Sequence, residues 1–267
     1  MSEQVGVGED VLNNISEEES ADAPGRMSFL DHLDELRRRI LYSVYSVLAA
    51  MVLSFAFIGR ILAEVTAPMI AVLPSKTLLG TEALDPIMMY FKAGLLVAVL
   101  IASPLIMLQV WYFIAPGLYA KEKRIAVPFV FTSTALFLGG AYFAHRVAFT
   151  ATWDFLNKFT PGWMAWTPTA SSVFSLYLKM VIGLGLIFQM PVIIFVLARF
   201  GIVTAKFLMK NFKYAVLIIF IVAAVASPGA DPFSQLLFAA PMLVLYIISI
   251  GVAWVFAKKT PVETADL

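Results

Sequence analysis

The 267-residue chain has no cysteine. Disulfides, thiolate catalysis and cysteine-ligated zinc or iron-sulfur centres are therefore excluded. Histidine is nearly as scarce, with only His32 and His145. His32 and Glu35 would share a helix face, but further ligands run out, so no metal site is expected. Charge is sparse too: 14% of residues are charged against 61% hydrophobic, with a mean hydropathy of +0.87. A soluble domain of this size would expose far more charge. The sequence shows no glycine-rich phosphate loop and no convincing Ser/His/Asp arrangement. The chain is accordingly expected to be no enzyme, with neither a cofactor nor a nucleic-acid partner.

What fills the sequence instead is a series of long apolar runs. The first 26 residues differ from the rest: seven acids (Glu3, Glu9, Asp10, Glu17, Glu18, Glu19, Asp22) face one Arg26. That composition cannot bury a core and reads as a disordered acidic tail. A positive region followed by an apolar one is missing from it, so it is not a signal peptide. Residues 27–259 then form one membrane domain, with 260–267 as a short cytoplasmic tail.

Six runs are candidates to cross a bilayer, at about 20 residues for a roughly 30 Å hydrocarbon core. They fall near 40–59, 87–114, 125–144, 173–198, 214–227 and 232–257. The fifth is unusual. Pro228-Gly229 must end it, leaving about fourteen residues or roughly 21 Å of helix, shorter than the hydrocarbon core. Residues 60–86, with Pro68, Pro74 and Pro86, read as an outer loop holding short interfacial helices. Residues 150–169, with Trp153, Trp163 and Trp166, read as an aromatic outer loop at headgroup level, and Trp111-Tyr112 as interfacial aromatics. Placing both termini inside puts 13 of the 19 basic residues on the inner side. That asymmetry favours a multi-pass chain with cytoplasmic ends.

The organising stretch is Trp111 to Arg124, which leaves an apolar run, breaks at Pro116-Gly117 and ends in a basic cluster around Glu122. It is a charged, aromatic-flanked loop on the inner membrane surface. Glu35 is also expected at a cytoplasmic helix end. Two carboxylates there either balance neighbouring Lys and Arg on a solvated surface or hold guanidinium groups, since the planar fork of arginine donates bidentate hydrogen bonds that lysine cannot reproduce. Gln189, polar and near mid-span, must find a hydrogen-bond partner. Ser227, Asp231 and Gln235 cluster at the outer hairpin, where Asp231 suits capping of the sixth helix and the group suits docking of a partner helix.

Three segments carry a family resemblance: His32-Leu33-Asp34-Glu35-Leu36-Arg37-Arg38-Arg39, Phe113-Ile114-Ala115-Pro116-Gly117-Leu118-Tyr119 with Glu122-Lys123-Arg124, and Ser227-Pro228-Gly229-Ala230-Asp231-Pro232-Phe233-Ser234-Gln235. In order and spacing they resemble the signatures of TatC, the multispanning receptor subunit of the twin-arginine translocase. The resemblance runs from about Ser28 to Lys259. It implies an all-α, cupped, six-helix protein of a prokaryotic cytoplasmic membrane that binds twin-arginine signal peptides of folded precursors. It further implies an oligomeric complex with single-span TatA- and TatB-type subunits, and export driven by the proton-motive force. By the same resemblance Glu35 and Glu122 hold the arginines, with Arg37 and Phe113 beside the peptide. Pro68 and Pro116 are structural, and Ser227, Asp231 and Gln235 form the polar docking patch. Two departures stand out, since Gln189 and Ile247 occupy positions where the family often has glutamate. The rival from another class is a secondary transporter for a small solute, which would need ionisable groups at a mid-membrane cavity.

Overall fold

The computed structural model describes residues 29–71, 77–114, 126–161, 163, 167–227 and 232–256. These residues are almost wholly helical, and a single bridge between Leu79 and Thr169 is the only strand-like pairing among them. In hydrocarbon no water is present to pair with peptide groups, so a spanning segment must satisfy them internally, as a helix does. Among the described residues five helices are long and apolar enough to cross, and the shorter apolar helix at 212–226 makes a sixth.

The first helix, α1 (Phe29–Ala56), starts well before the expected span at residue 40 and is 28 residues long. The charged HLDELRRR segment is therefore about two turns of helix and not a flanking loop. No Pro or Gly interrupts the run, and Asp31 in the first turn suits the positive end of the helix dipole. A one-residue break at Phe57 leads to α2 (Ile58–Ala71), the short helix expected in the outer loop, which carries Pro68 in its last turn.

The chain returns through α3 (Asp85–Ile114). Its start is fixed by the Asp85 carboxylate, which is buried and accepts the Thr81 and Glu82 amides at 3.0 and 3.1 Å. The third span, α4 (Ala126–Phe143), does not stop at residue 144 as expected. It passes through a π-helical turn (Ala144–Ala148) into α5 (Phe149–Lys158). Much of the supposed aromatic loop is thus helix, because Phe149 and Trp153 repeat at helical spacing and are buried against the core. Phe155 of α5 stacks on Phe233 with ring centroids 4.1 Å apart. Phe159 and Trp163 keep the expected exposure.

The fourth span is broken into α6 (Ala170–Ile187) and α7 (Met190–Arg199). The break falls at Phe188-Gln189, and Pro191 at the start of α7 lacks the N–H that would continue the ladder. Gln189 is 9% exposed and its amide donates to the Ser133 carbonyl of α4 at 2.9 Å. The required mid-span partner is thus backbone. Gly201 (φ +75°) closes α7 in the left-handed conformation, and Thr204 caps α8 (Ala205–Lys210). The fifth span, α9 (Phe212–Ala226), has 15 residues, and α10 (Pro232–Phe256) completes the set. The short α9 covers only about 22 Å, as its early stop requires.

Helices in lipid gain little from apolar burial against one another, so small residues that permit close approach decide their packing. α4 crosses α6 at Gly140 and Gly185. A Cβ added at Gly140 would lie 2.7 Å from the Leu184 carbonyl oxygen and 2.9 Å from Gly185 Cα. Those neighbours are backbone and cannot step aside. Gly139, one residue earlier, has open space around it.

Two outcomes follow from this packing. Gly140→Ala should cost about 1–3 kcal/mol as overpacking, whereas Gly139→Ala should stay within about 0.5 kcal/mol. Thermal unfolding in one detergent separates them, and equal effects would contradict the close approach. Gln189→Leu should cost about 0.6 kcal/mol, the average for an interhelical hydrogen bond in a membrane. At pH 8 Gln189→Glu should unfold at a lower temperature than Gln189→Leu, because a carboxylate would set an acceptor against the Ser133 carbonyl. The reverse order would show that the amide does not donate there.

Candidate functional site

α1 packs almost entirely against α3. Near the middle of their contact Ala50, Ala98 and Ala102 let the backbones approach, and the Ser54 hydroxyl donates to the Gly94 carbonyl at 2.9 Å. This pairing sets the register that brings the start of α1 beside the end of α3. Four turns of α1 then present His32, Glu35, Arg39 and Ser43 on one face, at spacings of three and four.

Arg39 ties the two helices together. Its Nε donates to Glu35 Oε1 at 2.6 Å, and Nη2 lies 2.5 Å from the same oxygen. Nη1 donates across to Gln109 Oε1 at 3.2 Å. The guanidinium carbon sits 4.8 Å from the centroid of the Tyr112 ring, close enough for a cation–π contact. One turn nearer the helix start, His32 stacks on Phe113, with ring centroids 4.5 Å apart and planes 23° from parallel. Glu35, Arg39, Gln109, Tyr112, His32 and Phe113 thus form one cluster at the junction.

The electrostatics of the cluster are asymmetric. Both contacts of Arg39 with Glu35 fall on Oε1, and no described residue donates to Oε2. The two side chains are still 23% and 17% exposed, so the pair is reached by water. A helical i,i+4 pair of this kind contributes only about 0.3–0.5 kcal/mol. Arg39 thus engages one oxygen of Glu35, and no described residue donates to the other. Arg37 and Arg38 project from other faces of α1 and are exposed.

The remaining anticipated residues divide clearly. Phe113 and Glu35 both belong to the cluster, Phe113 through His32 and Glu35 through Arg39. Glu122, Pro116 and Asp231 lie outside the described residues. Pro68 stands in α2 and Gln189 at the α6–α7 break, both remote in the chain from the cluster. At the outer hairpin, Gln235 donates to the Phe220 carbonyl of α9 at 2.9 Å, and the Ser227 amide closes α9 on Ala223 at 2.8 Å. Gln235 acts there as an internal clamp between α9 and α10. Trp111, anticipated at the membrane interface, is 3% exposed instead and packs on Phe129 and Val192.

Sequence reasoning missed Arg39, Gln109, Tyr112 and His32 as members of this cluster. Two signals were available. Glu35 and Arg39 stand at the i,i+4 spacing of a helical ion pair, and Gln109 is a lone polar side chain in an apolar run, which must find a partner.

Comparison with known proteins identifies the family and the fold. The family model described as "Sec-independent protein translocase protein (TatC)" matches residues 31–241. A protein named Sec-independent protein translocase protein TatC from Koribacter versatilis is 37% identical over 248 residues, covering 90% of each chain. Its namesake from Aquifex aeolicus is 33% identical and covers 87% of this chain and 97% of its own. Among solved structures, a crystal structure titled as the twin-arginine translocase receptor TatC superposes with a TM-score of 0.72 at 33% identity, covering 83% of this chain and 97% of that one. A second, in the detergent DDM, gives 0.74 at 33% identity over 83% and 99%. On the strength of the family match, the two relatives and the shared fold, this chain belongs to the TatC family of Sec-independent protein translocase proteins.

Proposed function

We propose that this TatC-family protein is the receptor core of a twin-arginine translocase, and that Glu35 and Glu122 hold the paired arginines of a signal peptide at the cytoplasmic face. The protein is a translocase component and not an enzyme, built as a multi-pass membrane protein. The observation that carries the finer reading is the Oε2 of Glu35, which no described residue engages, beside the Arg39 pair near the start of α1. A guanidinium approaching that oxygen gains a charge-assisted hydrogen bond without first breaking the Arg39 pair. Phe113, already stacked on His32, offers an aromatic wall to the peptide beside it. The basic loop 115–125 contributes Glu122 as the second carboxylate, and Arg37 stands exposed on the same helix as Glu35.

Both termini lie in the cytoplasm in this reading, because the basic residues gather at the α1 start, the 115–125 loop and the α7–α9 turn. Single-span TatA- and TatB-type partners complete the complex. The segment 227–235 is their docking region, where Gln235 ties α10 to α9 and Asp231 supplies a carboxylate by its place in the sequence. Asp231 also remains the natural cap for the start of α10. The small-solute transporter has no support in the family to which the chain belongs.

Binding of a labelled twin-arginine peptide to the solubilised protein tests the reading. A twin-lysine version should bind at least tenfold more weakly, about 1.4 kcal/mol. Glu35→Gln and Glu122→Ala should each remove most of that difference. Equal, salt-sensitive binding of both peptides to all three proteins would mean only general attraction of basic amphipaths.

A further inference from the structure

Two lysines stand inside membrane-spanning helices, Lys92 in α3 and Lys179 in α6. An ammonium group at membrane depth needs an anion or water beside it. From Lys92 to Ile114, the end of α3, the helix covers about 33 Å, and from Lys179 to Arg199, across the α6–α7 break, about 30 Å. A hydrocarbon core is roughly 30 Å thick. Both lysines therefore lie where hydrocarbon gives way to headgroups, on the membrane side opposite the Glu35 cluster.

The two converge on one side chain. α3 packs on α6, and the Lys92 ammonium donates to the Ser175 hydroxyl at 3.0 Å. Lys179 follows Ser175 by four residues, so the two share one face of α6, and a helical side chain leans back over the preceding turn. Lys179 is exposed and Lys92 half-buried. Among the described residues no carboxylate lies within 4 Å of either ammonium. Two cations gathered around one hydroxyl at the edge of a low-dielectric layer repel each other unless an anion sits between them. Donors for that anion are present: each ammonium carries three N–H groups, and Ser175, which accepts from Lys92, keeps its own O–H to donate.

One turn deeper on the same face stands Gly183. No atom lies within 4 Å of the point where its Cβ would be. Lys179, Gly183 and the exposed Leu186 thus outline an apolar furrow that leads away from the cations. A phospholipid has that polarity, with phosphate at one end and an acyl chain below. A partner helix fits less well, because helices in lipid meet at small residues, and the long Lys179 side chain stands in the middle of this stripe.

We propose that Lys92, Ser175 and Lys179 hold the phosphate of an anionic phospholipid, with one acyl chain lying over Gly183. A zwitterionic lipid brings its own cation to the site and is disfavoured by the same two charges. With both termini cytoplasmic, as proposed above, the lipid belongs to the outer leaflet. The site itself does not depend on the receptor reading.

Native mass spectrometry of the full-length protein in detergent reads the site directly, with phosphatidylglycerol or phosphatidylcholine of identical chains as the titrant. The first phosphatidylglycerol should bind at least tenfold more tightly than phosphatidylcholine. Lys92→Gln and Lys179→Gln should each weaken it about fivefold, the effect of one cation beside an anionic headgroup, and the double variant should abolish the preference. Lys158→Gln, exposed on α5 and outside the site, should bind as the parent does. Gly183→Leu, which fills the furrow, should weaken phosphatidylglycerol at least tenfold, and soluble glycerol phosphate should not displace the lipid. Lys179 and Gly183 have open surroundings, so their variants should unfold within a few degrees of the parent in lipid-free detergent. They carry the test if Lys92→Gln does not fold. Equal affinity for the two lipids, or unchanged affinity in Lys179→Gln and Gly183→Leu, would overturn the proposal. Displacement by glycerol phosphate would leave a phosphate site without a lipid. Loss of a single-span TatA- or TatB-type subunit from Lys179→Gln, with lipid affinity unchanged, would give the cations to a partner's carboxylate. Either result contradicts the lipid assignment, and neither bears on the preference for twin-arginine peptides.

Discussion

Lipid gives apolar side chains no reason to prefer one another over acyl chains, so every helix contact in this protein must be secured by something else. For α1 the means are few and identifiable. Small residues at Ala50, Ala98 and Ala102 bring α1 and α3 together, and the Ser54 hydroxyl donates across to Gly94. At the far end Arg39 reaches Gln109 and Tyr112, and His32 covers Phe113. The rest of α1 is largely bare, with Val52, Leu48 and Tyr45 among its exposed side chains. Whatever this protein recognises at the start of α1, it recognises on a helix held by one seam.

The same seam explains how a weak ion pair becomes useful. An exposed Glu–Arg pair contributes little stability, and nothing in the fold requires Glu35 for packing. Arg39 holds one oxygen of the carboxylate while its own charge is shared with Gln109 and the Tyr112 ring. A ligand guanidinium then meets a carboxylate that is oriented and still half free. Preorganisation of this kind lowers the ordering cost of binding without adding contacts. In the receptor reading, the specificity for arginine over lysine comes from that fixed geometry.

Much of this was legible in the sequence, and the reasons differ by element. The short α9 was readable because Pro228 and Gly229 leave no other choice. The spans were readable from length and apolarity, and Gln189 from the rule that a mid-membrane amide needs a partner. Helix continuity was harder. Aromatic residues at 149–159 serve a loop at headgroup level and a packed helix equally well, and only the burial of Phe149 and Trp153 decides between them. Trp111 was misjudged for the same reason, since an interfacial aromatic and a core aromatic share one local sequence. The α3 partners of Arg39 were invisible because they lie some seventy residues away in the chain. No local pattern specifies the register in which two helices meet.

The central claim is that Glu35, as oriented by Arg39, contacts a peptide arginine directly. A double-mutant cycle tests it most directly, pairing Glu35→Gln in the protein with single Arg→Gln changes at each of the two peptide arginines. A close charge pair at an interface should give a coupling energy of about 1.5 kcal/mol or more. The account predicts such coupling at one of the two arginines and near-additivity at the other, which is left to Glu122. Additive losses at both positions would mean that Glu35 acts only through the fold of the α1–α3 seam, and would contradict the account.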